Sequence, residues 1–273
     1  MSTYEALRVE RMDGIAEVVL LGPGKGNAMG PAFFRELPEL FTALDRDDAV
    51  RAVIVRGDRG VFSYGLDLKA MAPSLMPHLG PGNLAAERSR LLDLITDMQR
   101  GFDAVERCRK PVIAAIAGAC IGGGVDLISA CDVRVAARDA SFSVREVKVA
   151  IVADMGSLAR LPRIVGHGHT RELALTGRDI DAERALRIGL VNDVYDDEPL
   201  MLDAARALAR EIAGNPAVVV QGIKQVLTFG ENSSRADAER FVAVWNAAFL
   251  ASTDLSEAIQ AFAERRASRF SPA

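Results

Sequence analysis

Hydrophobic positions change their period along the chain, and the changes mark out its elements. Ile15 to Leu21 is an apolar run rich in β-branched residues, and Ala52-Val53-Ile54-Val55 is a second, ending near Gly57; both predict strands. Between them Phe33, Phe34, Leu37, Leu40, Phe41 and Leu44 recur at helical spacing, which predicts a helix over 31–44. Pro31 suits its first turn, and Pro38 predicts a kink. Proline and glycine between Pro73 and Gly82 predict a loop, a candidate lid or pocket wall, before a long amphipathic helix over 84–107. A buried strand follows over 111–116, then a glycine run opening a helix, then another strand over 131–136. Strands alternating with helices argue for an α/β core. After Leu190-Val191 the pattern is helical, near 198–213, 216–229, 235–250 and 255–269. The expected organisation is therefore a core over 1–195 and a helical subdomain over 196–273.

Composition narrows the functional classes. The 273 residues are 49% hydrophobic and 26% charged, enough for a sizeable core, and the net charge of −4 lacks the basic excess that neutralises nucleic-acid phosphates. No stretch approaches the ~20 apolar residues of a membrane span. Met1-Ser2-Thr3-Tyr4-Glu5 resembles no leader and Ser271-Pro272-Ala273 no peroxisomal signal, so a cytoplasmic location is expected. Cys108, Cys120 and Cys131 sit in or beside apolar runs without a CxxC pair and read as buried thiols. The histidines are His78, His167 and His169; His167-Gly168-His169 lacks a third ligand nearby and reads as a solvated loop. No metal is expected, and chemistry has to be sought among carboxylates and backbone amides.

Gly122-Gly123-Gly124 lies between a predicted strand and a predicted helix, where glycine lets backbone N–H groups approach a ligand, although a tight turn alone would also use it. It does not match GxGxxG, and the Gly-Lys of Gly22-Pro23-Gly24-Lys25-Gly26-Asn27 is not followed by Ser or Thr as a P-loop requires. Phe62-Ser63-Tyr64-Gly65-Leu66-Asp67-Leu68 could present a second amide. Two amides from separate loops could stabilise the oxyanion of a developing enolate. Asp126 follows the glycines, and Glu146 and Asp154 flank a largely apolar stretch, where partial burial would raise a carboxyl pKa toward the range useful for proton transfer.

Together these blocks resemble the enoyl-CoA hydratase/isomerase (crotonase) superfamily. Gly26-Asn27-Ala28-Met29, the 62–68 block, Pro111 to Gly118, Ile121 to Leu127, Cys131-Asp132 and Leu161 to Gly166 follow its order over nearly the whole chain. The resemblance implies an α/β, ClpP/crotonase-like fold of repeated ββα units with a helical C-terminal trimerisation region. It implies an acyl-CoA thioester as substrate, no other cofactor, and self-assembly into homotrimers or dimers of trimers. The thioester carbonyl would lie between the N–H groups of Tyr64 and Gly123. Lys25, Asn27, Ala28, Gly65, Asp67, Leu68 and Gly122 would border the substrate, and Phe262 with Arg265 would contribute to a CoA site. Tyr64 departs from the smaller residue usual at its position.

Within the superfamily the acidic residues separate the branches. Hydratases carry glutamates at the positions matching Asp126 and Glu146 and glycine at that of Asp154. Asp126, Glu146 and Asp154 together resemble the dienoyl-CoA isomerase branch. The implied reaction moves a 3,5-diene into 2,4-conjugation, as in fatty acid β-oxidation, with Glu146 and Asp154 as the proton-transfer pair and Asp126 tuning them. The alternatives are an enoyl-CoA hydratase and a catalytically silent acyl-CoA-binding or scaffolding protein.

Overall fold

A hairpin starts the fold: β1 (Leu7–Met12) pairs antiparallel with β2 (Ile15–Leu20) across Asp13 and Gly14, both at positive φ, as a two-residue turn between right-twisted strands requires. The computed structural model describes residues 4–22, 26–80 and 85–271. Lys25 lies outside the described residues.

Helix α1 (Pro31–Arg46) continues through Pro38 and leads to β3 (Ala52–Gly57). Helix α2 (Leu68–Leu75), with Pro73 inside it, and a single 3₁₀ turn at Met76–His78 stand where a loop was expected in part, and α3 (Ala85–Arg107) is the expected long helix. Asp67 starts α2 by accepting a hydrogen bond from the Ala70 N–H at 2.9 Å, which offsets what Pro73 costs the helix. Next come β4 (Val112–Ile116), β5 (Ala119–Ile121), α4 (Gly123–Ser129), β6 (Val133–Ala137) and β7 (Ser141–Ser143). The remaining elements are α5 (Ser157–Ile164), α6 (Gly166–Thr176), β8 (Ile180–Asp181), α7 (Ala182–Arg187) and β9 (Asp193–Tyr195). His167 and His169 stand in the first turn of α6 and not in a loop.

The strands form two sheets, β1-β2-β3-β4-β6-β9 and β5-β7-β8. Successive turns of chain place one strand in each: β4 then β5, β6 then β7. Ser63 makes a parallel bridge to Cys120 of β5, so the turn that follows β3 repeats the same path. This is the expected spiral of ββα units. Its first sheet is mostly parallel and apolar on both faces, as a covered parallel sheet must be. Phe33, Leu37, Phe41, Phe102 and Ile128 fill one side.

Helix α8 (Glu198–Ala213) covers the other side, burying Met201, Ala205 and Ala209 against Ile54, Ile113 and Val135. Residues 198–213 thus pack as part of the core, although the sequence grouped them with the C-terminal appendage. Three helices follow: α9 (Ala217–Gly230), α10 (Arg235–Phe249) and α11 (Thr253–Glu264). The last is shorter than expected, because Arg265 adopts a left-handed conformation at φ 51°. Beyond it, Arg266 pairs with Glu257 at 2.6 Å and the Ser271 N–H donates to Asp254 at 2.9 Å, folding the tail back along the helix. Cys108, Cys120 and Cys131 are buried free thiols. Among the described residues no helix is long and apolar enough to cross a membrane.

Candidate active site

The glycine run forms the junction between β5 and α4. Gly122 is at φ 55°, and a Cβ on it would approach Glu146 Oε1 to 3.2 Å, so its missing side chain lets that carboxyl lie against the main chain. Facing it, residues 26–29 and 63–67 are laced together. Met29 N–H donates to the Gly65 carbonyl at 2.7 Å, and Asp67 N–H to the Met29 carbonyl at 3.0 Å. Ser63 Oγ donates to the Asn27 carbonyl at 2.9 Å and accepts from Gly65 N–H at 3.0 Å.

This lacing corrects one expectation. The Tyr64 N–H donates to the Gly26 carbonyl at 2.8 Å and is not available to a ligand. Among the described residues, the N–H groups of Leu66 and Gly123 have no protein acceptor. They are neighbours: a Cβ on Gly123 would lie 3.7 Å from the Leu66 nitrogen, and one on Gly65 would lie 2.8 Å from the Gly123 nitrogen. Gly65, at φ 78°, makes the turn that leaves the Leu66 amide unengaged. Two adjacent unpaired amides can accept developing negative charge on an oxygen.

Asp126, Glu146 and Asp154 line one cavity of about 290 Å³. Asp126 is 1% exposed, and its Oδ1 accepts the Ser157 N–H, the first residue of α5, at 2.7 Å. Burial raises its pKa from 3.8 to about 6, against the lowering by Ser157 and with a contribution from the charge of Asp154. Burial also raises Glu146 from 4.5 to about 7, with the charge of Asp126 adding to the effect, and Glu146 Oε2 is buried without a hydrogen-bond partner. Asp154, half-buried, is raised by burial as well. The three therefore hold protons more firmly than ordinary carboxyls.

Most of the remaining lining is apolar: Phe34 of α1, Leu68 and Leu75 of α2, and Leu91, Ile95, Met98 and Phe102 along α3. Spaced four, three and four apart, these α3 positions form one helical stripe. Tyr64 also lines the cavity and is 41% exposed; its ring packs so closely on Gly26 that a Cβ there would come within 2.0 Å. Three larger cavities, about 530 Å³ between the core and α9, about 390 Å³ among α9–α11 and about 400 Å³ between α1 and α3, lack this chemistry. In the first, Asp132 and Glu231 are already paired with Lys224 and Arg163.

Several expected substrate contacts are otherwise employed. The Asn27 side chain donates to the carbonyls of Asp58 at 3.0 Å and Val61 at 2.6 Å, which makes it a loop tether, and the Asp67 carboxylate caps α2. Ala28 is half-buried outside the cavity lining, whereas Leu68, Gly122 and Gly123 belong to that lining. Phe262, 88% exposed, and Arg265 lie on α11 and its end, away from this cavity. Sequence reasoning missed Leu66, and also Gln99 and Arg160, which bind the segment carrying Asp154. A glycine ahead of the open amide was the available signal for Leu66; nothing local marked the other two.

Comparison with known proteins adds to this geometry. Residues 10–272 match the family described as Enoyl-CoA hydratase/isomerase. The human protein named Delta(3,5)-Delta(2,4)-dienoyl-CoA isomerase, mitochondrial, is 43% identical over 97% of this chain and 81% of its own. The Arabidopsis thaliana protein named Delta(3,5)-Delta(2,4)-dienoyl-CoA isomerase, peroxisomal, is 39% identical over 99% of this chain and 98% of its own. The crystal structure of an enoyl-CoA hydratase from Bacillus anthracis superposes with a TM-score of 0.88 at 28% identity, covering 98% of this chain and all of that one.

Proposed function

The chain belongs to the enoyl-CoA hydratase/isomerase family, and we propose that it is an acyl-CoA isomerase converting 3,5-dienoyl-CoA to 2,4-dienoyl-CoA in fatty acid β-oxidation. The observation that carries this reading is the convergence of three carboxyls with raised pKa values on one apolar cavity beside two unengaged amides. A hydratase needs acids around a single water; Asp154 extends the acidic set along the acyl wall, which suits a proton shift between distant carbons.

The thioester oxygen sits between the N–H groups of Leu66 and Gly123. Glu146 lies against Gly122, next to that amide pair, and takes the C2 proton. The electrons of the C2–H bond move onto the thioester oxygen, giving a dienolate that the two amides stabilise, and flow back out through the diene to C6 when it is protonated. Asp154, nearer α3, delivers a proton to C6, and the 2,4-diene forms. The proton has then moved from Asp154 to Glu146, and exchange with water or through Asp126 restores the starting state. Nothing is oxidised or reduced, so the reaction calls for no cofactor beyond the substrate's own CoA.

Self-association is proposed on the C-terminal helices, where Ile223, Leu227, Phe249, Leu250 and Ile259 are exposed apolar side chains. A homotrimer, or a pair of trimers, would cover them. Sedimentation equilibrium tests the assembly. The cytoplasm is the proposed location, tested by fractionation; the mitochondrial and peroxisomal names are those of the relatives.

The deciding experiment offers 3,5-dienoyl-CoA and 2-enoyl-CoA in parallel. Appearance of conjugated-diene absorbance from the first alone supports the isomerase. Loss of the enoyl band alone supports a hydratase, and ester binding without turnover a silent binder. Glu146→Gln and Asp154→Asn should each lower isomerisation at least ~100-fold, with ester binding within a few-fold of the unsubstituted protein.

A further inference from the structure

The carboxyl of Asp154 has no hydrogen bond to another side chain among the described residues, so its aim has to come from the main chain that carries it. That main chain is held at successive points. Gln99 Nε2 donates to the Asp154 carbonyl at 2.6 Å, and Arg160 Nη1 donates to the Met155 carbonyl at 3.3 Å. Gly156, at φ 113°, fits under the same guanidinium so closely that a Cβ would fall 1.9 Å from Nη1. Arg160 is in turn fixed to α3, through Glu106 Oε2 at 2.8 Å and Asp103 Oδ1 at 2.9 Å.

Gln99, Asp103 and Glu106 are spaced four and three apart and form a polar stripe on α3, beside the apolar stripe of Leu91, Ile95, Met98 and Phe102 that lines the cavity. One helix thus touches the acyl space with one stripe and the acid-bearing segment with the other. From this juxtaposition we propose that Gln99 is a positioning residue: its amide, seconded by Arg160, fixes the Asp154 peptide and so aims the Asp154 carboxyl at the distal carbon of the acyl chain. The proposal rests on the proton-transfer role given to Asp154 above. Gln99 does not touch the reacting atoms; it acts through the carbonyl it binds. A misplacement of about 1 Å at a reacting group can cost on the order of 100-fold in rate.

The test is Gln99→Met, which keeps the length of the side chain and removes the donor, set beside Asp154→Asn. Turnover is followed with 3,5-dienoyl-CoA in deuterated water, recording deuterium at C2 of unreacted substrate and at C6 of product. The expected result for Gln99→Met is a kcat at least ~10-fold lower, a KM within twofold and an unchanged melting temperature. C2 exchange should persist while C6 delivery slows, so the ratio of exchange to isomerisation rises. A general loosening of the site would lower both together and overturn the proposal. So would a kcat within twofold of the unsubstituted enzyme while Asp154→Asn is inactive. Full activity of Asp154→Asn would instead reject the underlying role of Asp154, whatever Gln99→Met does.

Discussion

Replacing Asp126 by Asn should stabilise the protein in a pH-dependent way. The Asn side chain has the same shape and keeps an Oδ1 to accept the Ser157 N–H. What it removes is a carboxyl that burial raises from 3.8 to about 6. Each pH unit between those values is about 1.4 kcal/mol of difference between the folded and unfolded chain, so the full effect is about 3 kcal/mol. The sign follows from proton binding. Below about 3.8 both states hold the proton and Asp126 carries no penalty. As pH rises toward 6 the unfolded chain ionises first, and stability falls until the folded carboxyl ionises too. Asp126→Asn should therefore change stability by well under ~1 kcal/mol at pH 4 and raise it by about 3 kcal/mol at pH 8. With 273 residues and an unfolding entropy of about 2.1 cal/mol/K per residue, the gain at pH 8 is about 5 °C in Tm. Urea unfolding and calorimetry across pH 4–8 would measure it. Activity gives a second reading: Glu146 loses the like charge that helps raise it to about 7, so the limb of the kcat/KM profile that reports Glu146 should move to lower pH. Equal stabilisation at both ends of the range, or a less stable variant at pH 8, would refute the electrostatic account.

Two glycine substitutions probe the backbone of the site. Gly65→Ala meets a positive φ of 78° and brings a methyl to 2.7 Å of the Ile121 carbonyl and 2.8 Å of the Gly123 nitrogen, forcing the amide pair apart; kcat should fall ~100-fold or more in steady-state assays, as for loss of an oxyanion donor. Gly156→Ala must displace Arg160 and adopt φ 113°, so denaturant unfolding should show a loss of about 2 kcal/mol or more, with turnover falling alongside.

The parts of the fold that local pattern decides were legible in the sequence. The helix over 198–213 is found at those limits, because its apolar stripe and flanking Asp197 cap and Gly214 are local signals. Strand β1 gives no such signal, because Arg8, Glu10 and Arg11 interrupt Leu7 and Val9 along an edge strand, leaving an alternation too short and too charged to stand out. Helix α2 was hidden by Pro73, although its Asp67 cap was in view. In the site, the residue types and their approximate places could be read, but not which amide is free. That depends on bonds between residues 26–29 and 63–67, set by the folding together of segments more than thirty positions apart. The same holds for Gln99, whose partner carbonyl is 55 positions away.

The three acids also share an electrostatic environment that suits the proposed shift. A base and an acid must stand in opposite protonation states before the substrate reacts, and carboxyls at their ordinary values would all be ionised at neutral pH. A guanidinium facing the trio would strengthen that tendency by stabilising the charges. The arginines beside this cavity are paired elsewhere: Arg145, on its wall, pairs with Asp179 and donates to Ser143, and Arg160 pairs with Asp103 and Glu106, its charge lowering Asp126 less than burial raises it. The amides of Leu66 and Gly123 are neutral donors, so they can meet negative charge on the dienolate oxygen without neutralising the acids beforehand. Burial raises all three, repulsion adds to it at Asp126 and Glu146, and a proton held more firmly in the cavity is what the distal carbon of the acyl chain has to receive.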